Sequence, residues 1–224
     1  LDIDPNSGTF GTVVLPAVND PTAVGFSVQN GSLDLGIFTA TQSSTDGVAA
    51  YGPMAVRKYT GLEAGLGKAQ LQGVDALKLI ATNLVFKQNK SSVVGGAVLN
   101  WSATELGAAN VALGPSDPVF QIGGSVGLSV ADVVFASATI NVSRYAGVSG
   151  VDDPDDATGK TLKGDLLTVQ ITQANLFIGN GASLDIDPNS GTFGTVVLPA
   201  ANDPTAVGFS VQNGSLDLGI FTAT

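Results

Sequence analysis

A 41-residue stretch occurs twice in this chain. Residues 1–41 read LDIDPNSGTFGTVVLPAVNDPTAVGFSVQNGSLDLGIFTAT, and residues 184–224 repeat them with Val18 replaced by Ala201, an offset of 183 residues. Identity at 40 of 41 positions is beyond chance, and a fixed period is the mark of a repeat architecture. The chain therefore divides into one full period, residues 1–183, and the opening of the next, residues 184–224. It is expected to be a window on a longer tandem array, and nothing at Leu1 has the pattern of a signal peptide.

A looser pattern recurs inside the period. Residues 24–39, 76–87, 132–143 and 167–179 each carry alternating apolar residues interrupted by Ala, Thr, Ser or Asn. Phe26, Val28, Leu33, Leu35 and Ile37 show the period of two that marks a half-buried strand. Leu62, Ala64 and Leu66 alternate in the same way, as do Val126, Leu128 and Val130. Helical spacing is confined to two short stretches, Asp46–Met54 and Ser102–Asn110. Gly (29 positions) and Pro (10) fall between the alternating runs, for example at Asn6-Ser7-Gly8 and Gly114-Pro115. There they supply the positive φ and the fixed φ that turns require. The pattern predicts an all-β fold of strands five to ten residues long. Stacked from one period to the next, these would form an elongated repeat architecture, either a β-solenoid or a row of β-sandwich modules.

Composition narrows the chemistry. With no His and no Cys, the chain has no imidazole-assisted nucleophile and no Cys/His zinc site. A net charge of -10 argues against nucleic acid and anionic lipid surfaces as partners. No apolar run is long enough for a membrane helix, and 6% aromatics do not furnish the girdles of a membrane barrel, so no membrane insertion is expected. Four of the 19 acidic residues are counted again in the second copy, so one period carries 15 acids against 9 bases, or -6. The basic residues lie between Arg57 and Lys163, with a spacing that suggests outward-facing positions or protected sheet edges.

Two acidic stretches are candidate Ca²⁺ sites. Asp2, Asp4 and Asn6, repeated as Asp185, Asp187 and Asn189, place oxygens at every second residue, as the start of an EF-hand loop does. The glycine comes one residue late, however, and Val13 stands where the bidentate Glu belongs, so an Asx/Pro turn is the competing reading. Asp152, Asp153, Asp155 and Asp156 crowd around Pro154, either to bridge a hard divalent ion or to form a solvated loop tip. Trp101, the single Trp, is read as a sugar platform or as a partly buried residue at a strand end.

The period near 180 residues, the Gly/Ala/Val/Ser/Thr/Asp bias and phrases such as Val24-Gly25-Phe26-Ser27-Val28 and Tyr59-Thr60-Gly61-Leu62 resemble the tandem-repeat regions of giant bacterial cell-surface and adhesin-type proteins. The resemblance implies an extracellular or cell-surface stalk or fibre, often stiffened by calcium. The expected function is that of a structural repeat unit in an extracellular filament, stalk or surface fibre, with further copies of itself as partner and no enzymatic activity. The alternative is an adhesin-type binding module for a glycan or a divalent cation. A carbohydrate-active β-helix enzyme would need two carboxylates held at a defined gap, which the sequence does not display.

Overall fold

The computed structural model describes residues 1–14, 23–40, 56–93, 96–155 and 158–224. Its strands are β1 (Gly25–Ala40), β2 (Arg57–Gln72), β3 (Leu77–Ser91), β4 (Phe120–Val130), β5 (Val134–Asp152), β6 (Thr161–Asn180), β7 (Ser183–Leu184), β8 (Val196–Val197) and β9 (Val207–Ala223). Seven of them form one antiparallel sheet in the order β1-β2-β3-β4-β5-β6-β9, and β7 and β8 pair as a small second sheet. The fold is all-β. Its strands neither coil into solenoid rungs nor form two facing sheets of comparable size, and the large sheet is an up-and-down meander.

Alternation in the sequence becomes two unlike faces. Leu33, Ala64, Phe86, Ile122, Val142, Val169 and Leu218 are Cα partners in one unbroken row across all seven strands. The adjacent row, on the opposite face, is Asp34, Glu63, Lys87, Gln121, Ser143, Thr168 and Gly219. The β4–β5 hairpin is closed by Ala131 and Asp132, both at positive φ, with the Val133 amide donating to the Val130 carbonyl at 3.1 Å. This is the primed geometry whose twist suits a two-residue hairpin.

The main strands run for 11 to 20 residues, longer than the five to ten expected. What reads in the sequence as the end of a strand is a crease within one. Asn30, Asn83, Gln173 and Asn213 sit at φ between 52° and 55° in β1, β3, β6 and β9. Gly67 lies opposite Asn30, and the register slips by one between β3 and β4 and between β5 and β6 near the same level. A left-handed residue interrupts the pleat, and the apolar parity changes with it, from Phe26 and Val28 to Leu33, Leu35 and Ile37.

Two connectors lie on the polar rows of the sheet and supply its two cores. Residues 96–119, joining β3 to β4, bring Trp101, Val111 and Leu113 down on β1 and β2. The short helix expected at Ser102–Asn110 is there a 3-10 helix, Thr104–Ala109, closed by Asn110 in the left-handed region. The other stretch of helical spacing, Asp46–Met54, lies outside the described residues. Residues 181–206, joining β6 to β9, place Leu184 and Phe193 against Ile80, Phe135 and Phe177. Among the described residues no connector covers the apolar rows: Ile122, in the middle of the sheet, is 47% exposed.

The basic residues are not at the edges. Lys68, Lys78, Lys87 and Lys90 are on β2 and β3, inside the sheet, while β1 and the copy of it in β9 contain no Lys, Arg or Pro.

Candidate functional site

The acidic candidates are engaged as turns. The Asp185 carboxylate accepts the Asp187 amide at 3.0 Å, the Ser190 hydroxyl at 2.5 Å and the Thr192 hydroxyl at 2.7 Å. Asp187 accepts the Asn189 amide at 2.9 Å. In the first copy, Asp2 accepts the Asp4 amide at 3.0 Å and the Thr9 hydroxyl at 2.6 Å, and Asp4 accepts the Asn6 amide at 3.0 Å. These are Asx turns, in which the carboxylate oxygens meet donors of their own loop. Asp152 ends β5, and Asp153 accepts the Asp155 amide at 3.0 Å; Asp156 lies outside the described residues. Among the described residues no three acidic groups converge as metal ligands would.

Hydrogen bonding holds several carboxyls below their ordinary titration range. The Ser190 hydroxyl does this at Asp185, helped by Thr192 and the Asp187 amide. Lys78 does it at Asp132 and Arg144 at Asp165, through ion pairs of 2.7 and 2.6 Å. A carboxyl whose folded pKa is depressed contributes stability that is present above its unfolded value and is lost as pH falls through the folded one. The urea midpoint is therefore expected to be flat from pH 7 to about pH 5 and to fall below about pH 4, the ordinary carboxylate value. Asp185→Asn should flatten part of that acid limb. Because turn donors occupy both carboxylate oxygens of Asp2 and Asp185 and one oxygen each of Asp4, Asp153 and Asp187, EDTA is expected to leave Tm unchanged at neutral pH. A rise in Tm on adding Ca²⁺ that Asp185→Asn abolishes would show a cation instead.

Trp101 is not a sugar platform. It is 2% exposed, its ring lying flat on Gly36 of β1 and Gly61 of β2, where a Cβ on Gly61 would come within 2.6 Å of the indole. Its Nε1 donates to Asn89 Oδ1 at 3.0 Å, and Asn89 Nδ2 donates to the Leu99 carbonyl at 2.9 Å. The loop around it is tethered to the same strands. Asn110 Nδ2 donates to Asp34 at 2.8 Å, and the Ala112 amide donates to Glu63, which also pairs with Lys87 at 2.9 Å.

What the structure adds to the sequence lies in the duplicated segment. Residues 1–14 and 184–197 fold alike: the Asp2 amide meets the Thr12 carbonyl at 2.8 Å and the Asp185 amide the Thr195 carbonyl at 2.9 Å. Gly11 and Gly194 both take positive φ. Their surroundings differ. Leu184 is 6% exposed and Phe193 8%, against 75% for Leu1 and 57% for Phe10. The second copy is seated on the sheet. The Gly194 carbonyl lies over Gly127, the Val196 amide donates to Ser137 Oγ at 3.3 Å, Lys68 donates to the Pro188 carbonyl, and its ammonium stands 5.4 Å from the centre of the Phe193 ring.

The strand that follows each copy is an edge of the sheet. β1 and residues 208–223 of β9 have the same sequence, GFSVQNGSLDLGIFTA, one at each edge. An edge strand presents a row of unpaired amides and carbonyls, which proteins ordinarily shield with Lys, Pro or a bulge. Here both edges are long and nearly uncharged, with apolar residues alternating along them, and the only charge on either is one Asp, at Asp34 and Asp217. No helix among the described residues is long and apolar enough to cross a membrane. No family model, curated protein or solved structure matches the chain.

Proposed function

We propose that the chain is a structural repeat unit of an extracellular bacterial filament, stalk or surface fibre, with further copies of itself as its partner. The observation that carries this reading is the pair of identical strands at opposite edges of one sheet. A module that begins and ends on the same strand is suited to being laid end to end. The edge strands, which carry no Lys, Arg or Pro, agree with it, since those residues ordinarily shield the edge of a protein meant to stay alone. The extracellular assignment rests on the resemblance of the repeat to giant cell-surface proteins. A charge of -6 per period would recur along the fibre and make its spacing sensitive to salt.

Electron microscopy of native material tests this reading. Regular filaments with an axial repeat are expected. A parent gene with a single period, or a native protein that stays a compact monomer at high concentration, would overturn it.

A further inference from the structure

We infer that successive copies join by sharing one strand, so that the segment GFSVQNGSLDLGIFTA lies between β6 of one period and β2 of the next in a single continuous sheet. The inference rests on the reading that periods follow one another. It concerns how they join, which a string of separate modules would not share.

Each end of the chain carries half of an arrangement completed at the other end. Leu1 and Phe10 are bare, while Leu184 and Phe193 rest on Ile80, Phe135 and Phe177. The seat that residues 1–14 lack is therefore the one formed by those three residues in a preceding copy. At the far edge, Gly219 is the copy of Gly36 and has nothing within 4 Å of where its Cβ would be, whereas Gly36 is covered by the Trp101 ring. Asp217, the copy of Asp34, accepts Gln170 Nε2 at 3.2 Å, while Asp34 accepts Asn110. In a shared strand both contacts are made by one residue, from the copy before and the copy after.

The backbone gives the same answer. In an antiparallel strand the amide and carbonyl of one residue point to one side, and those of the next residue to the other. The Ser92 amide donates to the Lys58 carbonyl at 2.8 Å, so Lys58 faces β3. Arg57 and Tyr59 then face β1, and their partners Ala40 and Phe38 face β2. The Thr224 amide donates to the Lys163 carbonyl at 2.9 Å, so Thr224 faces β6, and Ala223 and Phe221 face outward. Those two are the copies of Ala40 and Phe38. The groups that β1 uses for β2 are thus the groups that β9 leaves free.

Beyond the crease the parity agrees as well. The Ala131 amide donates to the Ala76 carbonyl at 2.7 Å, which turns Ala81 toward β2, Ala69 toward β3 and, through Gln70, Ser27 toward β2. The Gly179 amide donates to the Val133 carbonyl at 2.8 Å, which leaves Ile178 to face β9 and its partner Phe209 to face β6. Phe209 is the copy of Phe26, the neighbour of Ser27.

The faces also match. The apolar row that starts on Leu33 ends on Leu218, the copy of Leu35. The stagger per period is two residues, an even number, so an apolar row continues into an apolar row. Six strands at about 4.8 Å give an advance of about 29 Å per period, and the usual twist turns each period by roughly 120° to 150° on the last.

The test uses this chain continued past Thr224 by residues 42–224, making two periods with a shared strand between them. Leu35 and Leu62 are partners that face away from each other's ladder bonds, the pair type with the closer Cα atoms, within disulfide reach. Leu218→Cys combined with Leu62→Cys in the second period is expected to form an intramolecular disulfide on mild oxidation. The same two substitutions in the 224-residue chain fall on β9 and β2, about 24 Å apart, and stay reduced. Leu218→Cys with Leu71→Cys of the second period, on the other side of the crease, is the out-of-register control.

A second variant guards against misfolding of the first. Gly219→Val is expected to leave Tm of the 224-residue chain unchanged and to lower Tm of the two-period chain by about 5 °C or more, with one Trp becoming accessible to acrylamide. No disulfide in a folded two-period chain, or a Gly219→Val that is neutral in both chains, would overturn the shared strand. Filaments seen by microscopy without the disulfide would leave the fibre standing and remove this mode of joining.

Discussion

Phe193→Ala is expected to destabilise the chain by about 3 to 5 kcal/mol, and the same change at Phe10 by less than about 0.5 kcal/mol. The two residues occupy the same place in identical sequences with the same local hydrogen bonds. They differ only in what lies beneath them. Phe193 closes on Ile80, Phe135 and Phe177 with the Lys68 ammonium at its ring, so truncation leaves a cavity and removes apolar area from the core. Phe10 already faces water. Urea denaturation of the two single variants, followed by circular dichroism, measures the difference. Equal losses would mean that residues 1–14 have a seat of their own. In a chain of two or more periods, the copy of Phe10 that opens an internal period should behave like Phe193.

Trp101→Ala should cost as much, about 3 to 5 kcal/mol, lowering Tm by on the order of 10 °C. Its indole fills the space between the connector and the floor formed by Gly36 and Gly61, and its Nε1 is the donor that satisfies the buried Asn89 carbonyl. Alanine leaves that oxygen unpaired as well as the cavity. Trp101→Phe keeps most of the volume but not the donor, so it should lie between wild type and alanine. Since this is the chain's one Trp, wild-type emission should be blue-shifted and resistant to quenching by acrylamide. Emission typical of exposed indole would contradict the seat on Gly36 and Gly61.

Much of the sheet was legible from alternation alone, because a residue's face follows from its parity. The period of two puts Leu33, Leu35 and Ile37 on one face without any knowledge of their partners, but it does not carry across Asn30 to Phe26 and Val28. Strand length was not legible. Asn30 and Asn83 are ordinary turn residues when each segment is read by itself. Only the alignment of Asn30 beside Gly67, and of Asn83 beside the register slip, makes them one crease through continuous strands. Of the two readings of Trp101 the buried one holds, more completely than a strand end suggests; what the sequence does not display is the floor, which comes from glycines some 40 and 65 residues earlier in the chain, since Gly carries no pattern that announces a ring above it.

The acidic loops show the reverse case. A run of oxygens at alternate residues has the same sequence signature whether it faces a cation or its own amides, and what separates the two is the convergence of the carboxylates. Asp185 and Asp187 each turn toward the donor two residues on. Of the two placements that the spacing of the basic residues suggests, protected edges do not hold, because neither edge strand carries a Lys, whereas Lys58 and Lys90 on the inner strands are exposed.

The meander order has a mechanical consequence. Every strand of the large sheet is hydrogen-bonded within it only to the sheet strands that precede and follow it along the chain, the small β7–β8 pair standing between β6 and β9, so beyond the two connectors laid across its polar rows the ladder itself has no crossover to open. In the proposed fibre the strands lie across the axis, and tension opens ladder bonds in sequence instead of shearing them together. A period of 183 residues that occupies about 29 Å folded would pay out to roughly 600 Å. Such a fibre lengthens under load by about twentyfold, the connectors over Trp101 and Phe193 lifting with the strands they rest on, and each strand finds its partner again next to it when the load is released.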